Sequence, residues 1–290
     1  MGKTSFIHSL TAAALLAVSL AGCQVQEDAA PQDTSLVVEG WIDSGGHPMV
    51  LLSETLPVRN GVIHTTDIIS SIAKWAKVTV SDGDRSVILT GGPDTRYFPP
   101  YVFTSPEITG EPGKTYTLEV EYKDYKAFAE TTIPQPVPID TVYSRPLADS
   151  VYTLVCGFTD PPAKGNYYKV MTMTEGKDSR YMMSTIAMAS DEVFDGYSEI
   201  VLWNTQRLDE PLYYPNMSPG EEVWVKLCTM DSRTFSFWSD YEVTVATNFN
   251  AMYYFDAAME GGVKGALGYW AGYGVSEYKA VVEDIDSDED

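Results

Sequence analysis

Histidine is scarce, and this limits the chemistry that the chain can perform. His8 lies in the first apolar segment, which leaves His47 and His64 as the histidines of the remaining chain. Neither is part of an H-E-x-x-H pattern or close to a cysteine, so their spacing does not support a zinc site. A Ser-His-Asp triad would have to recruit one of them, and the sequence contains no G-x-S-x-G motif. We therefore expect no metal centre and loop positions for both histidines.

Carboxylates are numerous, and their number limits which catalytic sites and which charged partners the sequence supports. The 290 residues include 41 Asp and Glu against 19 Lys and Arg, a net charge of −22. A glycosidase needs two acids about 5–10 Å apart, but so many acids single out no pair. No G-x-x-x-x-G-K-[ST] phosphate loop occurs. We expect no enzymatic activity, no catalytic residues and no cofactor, and the charge argues against nucleic acid and against electrostatic binding to anionic lipid.

Cys23 is the residue with the clearest chemical role. Lys3 is followed by an apolar run from Leu10 to Leu20 that is too short for a permanent membrane helix. The run ends in Leu20-Ala21-Gly22-Cys23, which looks like a bacterial lipobox. Small residues before the cysteine give the peptidase access, and the thiol is the nucleophile that accepts diacylglycerol. We predict a signal peptide at residues 1–22 and lipid attachment at Cys23, which anchors the protein to a membrane.

Residues 23–35 form a polar, proline-containing leader that we expect to be flexible. Its acids Glu27, Asp28 and Asp33 resemble the surface-export signal of Bacteroidota lipoproteins. An ordinary polar leader would explain the same residues. We expect an outer-membrane location with the body at the cell surface, and a periplasm-facing protein is the alternative.

The remaining chain has the hydrophobic pattern of an all-β protein. Residues alternate between apolar and polar at Ala76–Ser81 and Thr115–Tyr122, and Asp82-Gly83 predicts a hairpin turn. Short strand-like segments recur up to Ser239–Ala246, with turn residues between them. The glycine-rich segment Gly261–Gly274 predicts a final strand with close backbone packing. One or two short helices, at residues 67–76 and 250–260, complete the prediction.

The spacing of strands and prolines predicts two β-sandwich domains of immunoglobulin-like or transthyretin-like type. The predicted domains cover residues 36–134 and 147–282. Prolines at alternate positions 134, 136 and 138 oppose strand pairing and indicate a linker at 135–146. Residues 283–290 hold six acids and are expected to form a solvated acidic tail, with weak calcium binding left open.

Two cysteines remain in the body of an exported chain. Cys156 and Cys228 both lie in strand-like runs, and a disulfide between them is permitted outside the cytoplasm. The tryptophan expected after the first cysteine of an immunoglobulin domain is absent. Two separately buried thiols are the alternative, which the sequence favours slightly.

Aromatic residues cluster in loop-like sequence and could form a contact surface for a glycan, a peptide or a partner protein. The candidates are Tyr97, Phe98, Tyr101, Phe103, Tyr213 and Tyr214. Exposed rings give a large contact area at a small entropic cost, and the neighbouring prolines restrict the loop. The alternative is that these rings pack along strands and sandwich rims.

Several segments together resemble one protein family. They are VVEGWI at 37–42, AKVTVSDG at 76–83, RYFPPYVF at 96–103, ITGEPGKTYTLEVEY at 108–122, FTDPPAKGNYYKV at 158–170 and the glycine-rich C-terminal segment GGVKGALGYWAGYG. They look like a Bacteroidota outer-membrane lipoprotein family of unknown function, usually encoded beside TonB-dependent (SusC-like) receptors. The N-terminal half is also similar to the transthyretin-like or carboxypeptidase-regulatory sandwich. The family offers no catalytic residues to transfer.

The resemblance implies a non-enzymatic accessory or solute-binding partner of a TonB-dependent nutrient receptor. A surface adhesin or structural lipoprotein is the alternative, because sandwich folds support both functions. A surface hydrolase is a third, weaker hypothesis. The sequence identifies neither the ligand nor the receptor.

Overall fold

The computed structural model describes residues 34–56, 65–148, 151–194, 196–204, 216–247 and 259–285. The signal peptide, Cys23, Tyr213 and Tyr214 lie outside these residues. The predicted all-β class is confirmed by sixteen strands and two helices within the described part of the chain. Neither of those helices is long and apolar enough to cross a membrane.

The helices and strands of the described residues have the following bounds. The helices are α1 (Thr65–Ser70) and α2 (Ser232–Thr247). The strands are β1 (Leu36–Asp43), β2 (Met49–Glu54), β3 (Lys77–Ser81), β4 (Ser86–Ile88), β5 (Thr90–Pro93), β6 (Tyr101–Thr104), β7 (Thr115–Tyr122), β8 (Tyr125–Thr132), β9 (Ile139–Ala148), β10 (Val151–Thr159), β11 (Tyr167–Thr174), β12 (Met182–Ser190), β13 (Tyr197–Val201), β14 (Trp203–Asn204), β15 (Glu222–Met230) and β16 (Leu267–Val281).

Three sheets form from these strands. A nine-stranded sheet has the order β14-β12-β11-β15-β16-β1-β2-β6-β5. A four-stranded sheet, β4-β3-β7-β8, and a three-stranded sheet, β13-β10-β9, complete the architecture. Among the described strand pairs of the large sheet, β1 and β16 are parallel and the others are antiparallel.

The first sandwich packs one half of the large sheet against the four-stranded sheet. The alternation along β7 places Tyr116, Leu118 and Val120 in this core. Val38 and Ile42 of β1 come from the facing sheet. The period-two pattern found in the sequence therefore marks the inward face correctly, because successive strand residues point to opposite sides.

The second sandwich packs the other half of the large sheet against the three-stranded sheet. Its core contains Leu154 and Phe158 of β10 together with Val223, Val225 and Leu227 of β15. Strand β10 is buried over most of its length. This explains why its sequence is a continuous apolar run instead of an alternating one.

Strand β16 connects the two sandwiches. Residues 267–273 pair with β1, and residues 274–281 pair with β15. Trp270 belongs to the first core and donates its Nε1 hydrogen to the carbonyl oxygen of Tyr116 at 3.0 Å. Ala280, on the same face of the strand, belongs to the second core. The predicted domain bounds, 36–134 and 147–282, assign all of β16 to the second sandwich. The structure instead pairs residues 267–273 with β1 of the first sandwich, and pairing between distant segments leaves no local sequence signal.

Glycines let the chain cross between the sandwiches directly over β16. A Cβ on Gly274 would lie 2.5 Å from the carbonyl oxygen of Pro134 and 2.9 Å from the nitrogen of Pro136. Gly272 has a similar contact with the backbone of Ile133, and its N–H is bonded to Oγ1 of Thr131 at 2.8 Å. The glycine-rich C-terminal segment is therefore a strand with close backbone packing, as its sequence suggested.

Two segments depart from the sequence-based prediction. The expected linker 135–146 is extended only at its start, since residues 139–148 form β9. Pro134, Pro136 and Pro138 precede that strand, whereas Pro146 lies within it. The acidic tail is not solvated from its first residue: the N–H of Glu283 donates to Oγ of Ser144 at 2.8 Å, and Tyr152 donates to Asp284 at 2.5 Å.

The predicted strand at Ser239–Ala246 is wrong, because these residues belong to α2. The β-branched run suggested a strand, but Asp231 caps a helix by accepting the N–H of Thr234 at 2.8 Å. Phe237, Trp238 and Tyr241 then pack toward the sheet at helical spacing. The helix predicted at 67–76 is observed earlier and shorter, as α1; most of the one expected at 250–260 lies outside the described residues.

Cys156 and Cys228 are free and buried thiols, so the structure does not contain the disulfide that the sequence permits. Cys156 lies in the second sandwich core. Cys228 lies in a third cluster, formed between α2 and the opposite face of the large sheet. Burial raises the pKa of each thiol to about 12, which keeps both protonated and unreactive.

We predict that Gly274→Ala lowers the free energy of unfolding by about 1–3 kcal/mol, because the new methyl group must displace the crossing backbone. Gly92→Ala is the matched control, since no atom lies within 4 Å of a Cβ there. Urea denaturation followed by circular dichroism measures both. Equal stability of the two variants would contradict the close approach over β16.

We predict that, with Cys23 replaced by serine, native protein is not modified by a thiol reagent, whereas unfolding without a reductant exposes two reactive thiols. Mass spectrometry counts the added groups. Ser86→Cys, at an exposed end of β4, should react in the native state and serves as the positive control. Absence of labelling after unfolding would instead indicate a disulfide.

Candidate functional site

A cavity of about 1000 Å³ lies over the large sheet, on the face turned away from the two sandwich cores. Its floor consists of residues from β1, β2, β11, β15 and β16, and its walls come from the 93–99 loop, residues 179–183 and α2. Pro93, Arg96 and Ser179 are exposed lining residues, so the cavity reaches the surface between these loops. Its volume is at the upper end of the range of small-molecule sites.

Strand alternation determines which side chains of β1 face the cavity. Val38 and Ile42 point into the first core. Gly40 lies on the same face, next to the side chains of Trp270 and Val50. Glu39, Trp41 and Asp43 point the other way and line the cavity. The regular geometry of a strand thus places two acids and an indole in one row, about 6–7 Å apart from one to the next.

The lining is mostly apolar and soft. It includes five methionines and several rings: Met49, Met171, Met173, Met182, Met183, Trp41, Tyr97, Phe98, Tyr181, Trp238, Tyr241, Tyr269 and Tyr273. Methionine side chains are flexible and polarisable, which suits surfaces that adapt to a bound molecule. Aromatic rings supply large contact areas at a low entropic cost.

Arg180 fastens the 93–99 loop across the mouth of the cavity. Its Nε donates to the carbonyl oxygen of Arg96 at 2.7 Å, and its guanidinium lies 5.3 Å from the centre of the Tyr97 ring. Tyr97 also lies 5.8 Å from Trp41. Within the loop, Arg96 and Asp94 form an ion pair at 2.6 Å. The loop is therefore held by contacts from both halves of the chain.

Lys226 and Asp43 form an ion pair in the cavity floor. Nζ of Lys226 lies 2.7 Å from Oδ2 of Asp43 and 4.7 Å from the centre of the Tyr181 ring. Tyr181 is hydrogen-bonded to Glu277, and burial together with that bond raises the pKa of its hydroxyl. These charges are already paired, so they stabilise the floor more than they attract a new ion.

Helix α2 closes one side of the cavity. Nε1 of Trp238 donates to the hydroxyl of Tyr273 at 2.8 Å, and Trp238 and Phe237 pack on Tyr269. Lys169, which is 1 % exposed, lies 3.2 Å from Glu242 and 4.9 Å from the Trp238 ring. An aromatic cluster and one buried ion pair thus fix the helix on the sheet.

Glu39 differs from the other charged lining residues. Within the described residues its carboxylate has no hydrogen bond or ion pair. Burial raises its pKa to about 7, and the positive charge of Arg180 opposes this only partly. An unpaired carboxylate at the centre of a sheet is costly, and such groups occur most often at functional sites.

The structure separates the aromatic residues that the sequence placed in one contact surface. Tyr97 and Phe98 line the cavity. Tyr101 packs against the first core and Phe103 is a buried member of it, because residues two positions apart in β6 point to the same side. Tyr213 and Tyr214, like Cys23, lie outside the described residues.

Sequence reasoning missed Glu39, Asp43, Arg180 and Lys226. A signal for three of them was present. Glu39 and Asp43 interrupt the apolar β1 segment on the face of Trp41, and Lys226 lies inside the apolar run of β15. A charged residue within a buried strand indicates a polar partner or a cavity. Arg180 lies in a turn and had no comparable signal.

Comparisons with known proteins identify a family. The model for a domain of unknown function, DUF4249, matches residues 24–279. The chain belongs to this family. No curated protein matches this DUF4249 member. A solved structure described as a cytokine receptor complex is 10 % identical and covers 68 % of this chain and 84 % of that one, with a TM-score of 0.22. A likeness this weak supports no conclusion about function.

We predict that Glu39→Gln raises the free energy of unfolding by about 1–3 kcal/mol near pH 8 and changes it little below pH 4.5. Because the pKa of Glu39 is higher in the folded protein, the fold holds the proton more tightly. Its stabilising contribution is complete at low pH and is lost as the pH rises toward 7. Arg180 and Tyr269 are the other ionisable groups that act on this carboxylate.

The measurement is urea denaturation across this pH range for wild type, Glu39→Gln and Glu119→Gln. Glu119 is an exposed residue of β7 and serves as the control. A wild-type pH slope that persists unchanged in Glu39→Gln would contradict the assignment.

Proposed function

We propose that this DUF4249 member is a non-enzymatic, lipid-anchored outer-membrane protein of Bacteroidota that binds a solute and assists a TonB-dependent (SusC-like) receptor. The main support is the cavity, which combines a volume of about 1000 Å³ with a methionine-rich and aromatic lining and a few charged groups. Sites for small molecules have this composition.

The pairing of the charges supports binding instead of catalysis. Asp43 is neutralised by Lys226, and Asp94 is neutralised by Arg96. A catalytic centre needs an acid, base or nucleophile whose position is fixed by further hydrogen bonds. Glu39 has no such positioning partner among the described residues, whereas a binding site needs only its charge and its access to the cavity.

The N-terminal sequence supports the anchoring part of the proposal. The lipobox at 20–23 and the acidic leader would hold the binding body close to other outer-membrane proteins. Confinement to one membrane raises the effective concentration of the two partners, so even a weak contact with a receptor can be productive. The resemblance to lipoproteins encoded beside TonB-dependent receptors is the support for such a receptor as the partner.

The experiment is affinity purification of the tagged protein from detergent-solubilised outer membranes, with mass spectrometry of the bound proteins. We expect a β-barrel receptor in stoichiometric amount. Cys23→Ser should abolish radiolabelled palmitate incorporation, release the protein from the membrane fraction and remove the receptor from the purified material. Gln32→Ala changes the leader outside the lipobox and should behave like wild type.

The outcomes separate the parts of the proposal. Recovery of the anchored lipoprotein alone, under conditions that preserve known barrel complexes, would argue against the receptor partner. Palmitate incorporation that survives Cys23→Ser would argue against the anchor.

A further inference from the structure

The cavity of the proposed solute-binding protein contains one negative charge that the protein itself leaves unpaired. The cations Lys226 and Arg96 are bound to Asp43 and Asp94 at 2.7 and 2.6 Å. Glu277 receives the hydroxyl hydrogen of Tyr181. Glu39 remains, with no ion pair or hydrogen bond among the described residues.

The immediate surroundings of Glu39 are apolar and aromatic. In the sheet it is level with Leu51 of β2 and Tyr269 of β16, and both of these side chains also line the cavity. Trp41 is the next residue of β1 on the same face. A carboxylate surrounded by such side chains has little solvent around it, and the charge of Arg180 compensates its burial only in part. A bound positive group would therefore remove much of the remaining desolvation penalty.

We infer that the cavity binds an organic cation: a molecule with an ammonium group that pairs with the Glu39 carboxylate, on an apolar body that packs against Trp41 and Tyr269. This inference rests on the proposed solute-binding function and specifies the chemical class of the solute. The ring faces contribute a second attraction, because aromatic rings also favour a neighbouring cation.

A metal ion fits the arrangement less well. Calcium and magnesium require several oxygen ligands, whereas the described residues contain no group of three His, Cys, Asp or Glu side chains suited to a metal. The partners of Glu39 in the sheet, Leu51 and Tyr269, also supply no second carboxylate.

An anionic solute is the other alternative, and Arg180 is the residue that would bind it. Its Nε is already bonded to the Arg96 carbonyl, and its guanidinium lies against Tyr97. Because these contacts occupy one edge and one face of the group, Arg180 has less to gain from a new partner than Glu39 has.

The test compares three molecules of similar shape: naphthylethylamine, naphthylethanol and naphthylacetate. Equilibrium dialysis at about pH 8, where Glu39 is mostly ionised, gives their dissociation constants for the purified full-length lipoprotein in detergent. We expect the amine to bind about tenfold or more tightly than the alcohol, because an ion pair away from water replaces a neutral contact.

Glu39→Gln should remove this preference while leaving the affinity for the alcohol unchanged. Glu277→Gln, which removes a lining carboxylate already bonded to Tyr181, should retain the preference and is the matched control. Circular dichroism confirms that both variants are folded.

The other outcomes overturn the inference in distinguishable ways. Equal binding of amine and alcohol, or a preference that survives Glu39→Gln, would leave solute binding intact and refute the cationic class. Tightest binding of naphthylacetate would assign the site to Arg180 and an anion. No binding of any of the three would refute this inference together with the solute-binding part of the proposed function.

Discussion

The sharing of β16 between two sandwiches is the constraint on which the rest of the structure depends. One half of the strand pairs with β1 and the other with β15, so the large sheet continues across both halves of the chain. Gly272 and Gly274 lie where the pairing changes, and the segment 133–136 crosses over them in backbone contact. Neither sandwich has its complete set of strands without the C-terminal segment. The first core therefore cannot form fully until residue 270 has been synthesised, since Trp270 is part of it.

The large sheet has a different environment on each face, and this explains its unusual charged residues. One face is covered by the smaller sheets and is apolar. On the other face, α2 covers part of the surface and the cavity lies beside it. Glu39 and Lys226 are compatible with central strands because their side chains point to this second face. The same residues on the first face would be buried in a core without a partner, at a cost of several kcal/mol each.

The sequence predicted the parts of the fold that are encoded locally. Alternation along β3 and β7 identified their buried faces, and the glycine-rich segment was correctly assigned to close backbone packing. The lateral order of the strands was not accessible, because parallel pairing of β1 with β16 joins residues more than 200 positions apart. Helix α2 was mistaken for a strand because its β-branched residues outweighed a single capping aspartate, Asp231. The aromatic segment 97–103 was located, but β6 turns Phe103 into the first core, whereas Tyr97 lies in the loop before β6 and reaches the cavity.

The cavity itself illustrates why a site of this kind escapes sequence analysis. Its lining residues come from eight strands, from α1 and α2 and from the loops between elements, and each residue type is ordinary for its element. What distinguishes the site is a mismatch in pairing. The cations Lys226 and Arg96 each form an ion pair with an acid, whereas Glu39 forms no ion pair or hydrogen bond among the described residues and has only the partial compensation of Arg180. Proteins bury apolar surface and pair buried charges because both lower the free energy of the fold. An aromatic-lined cavity with an unpaired carboxylate gives up both contributions, and a bound molecule that fills the space and supplies the opposite charge would restore them.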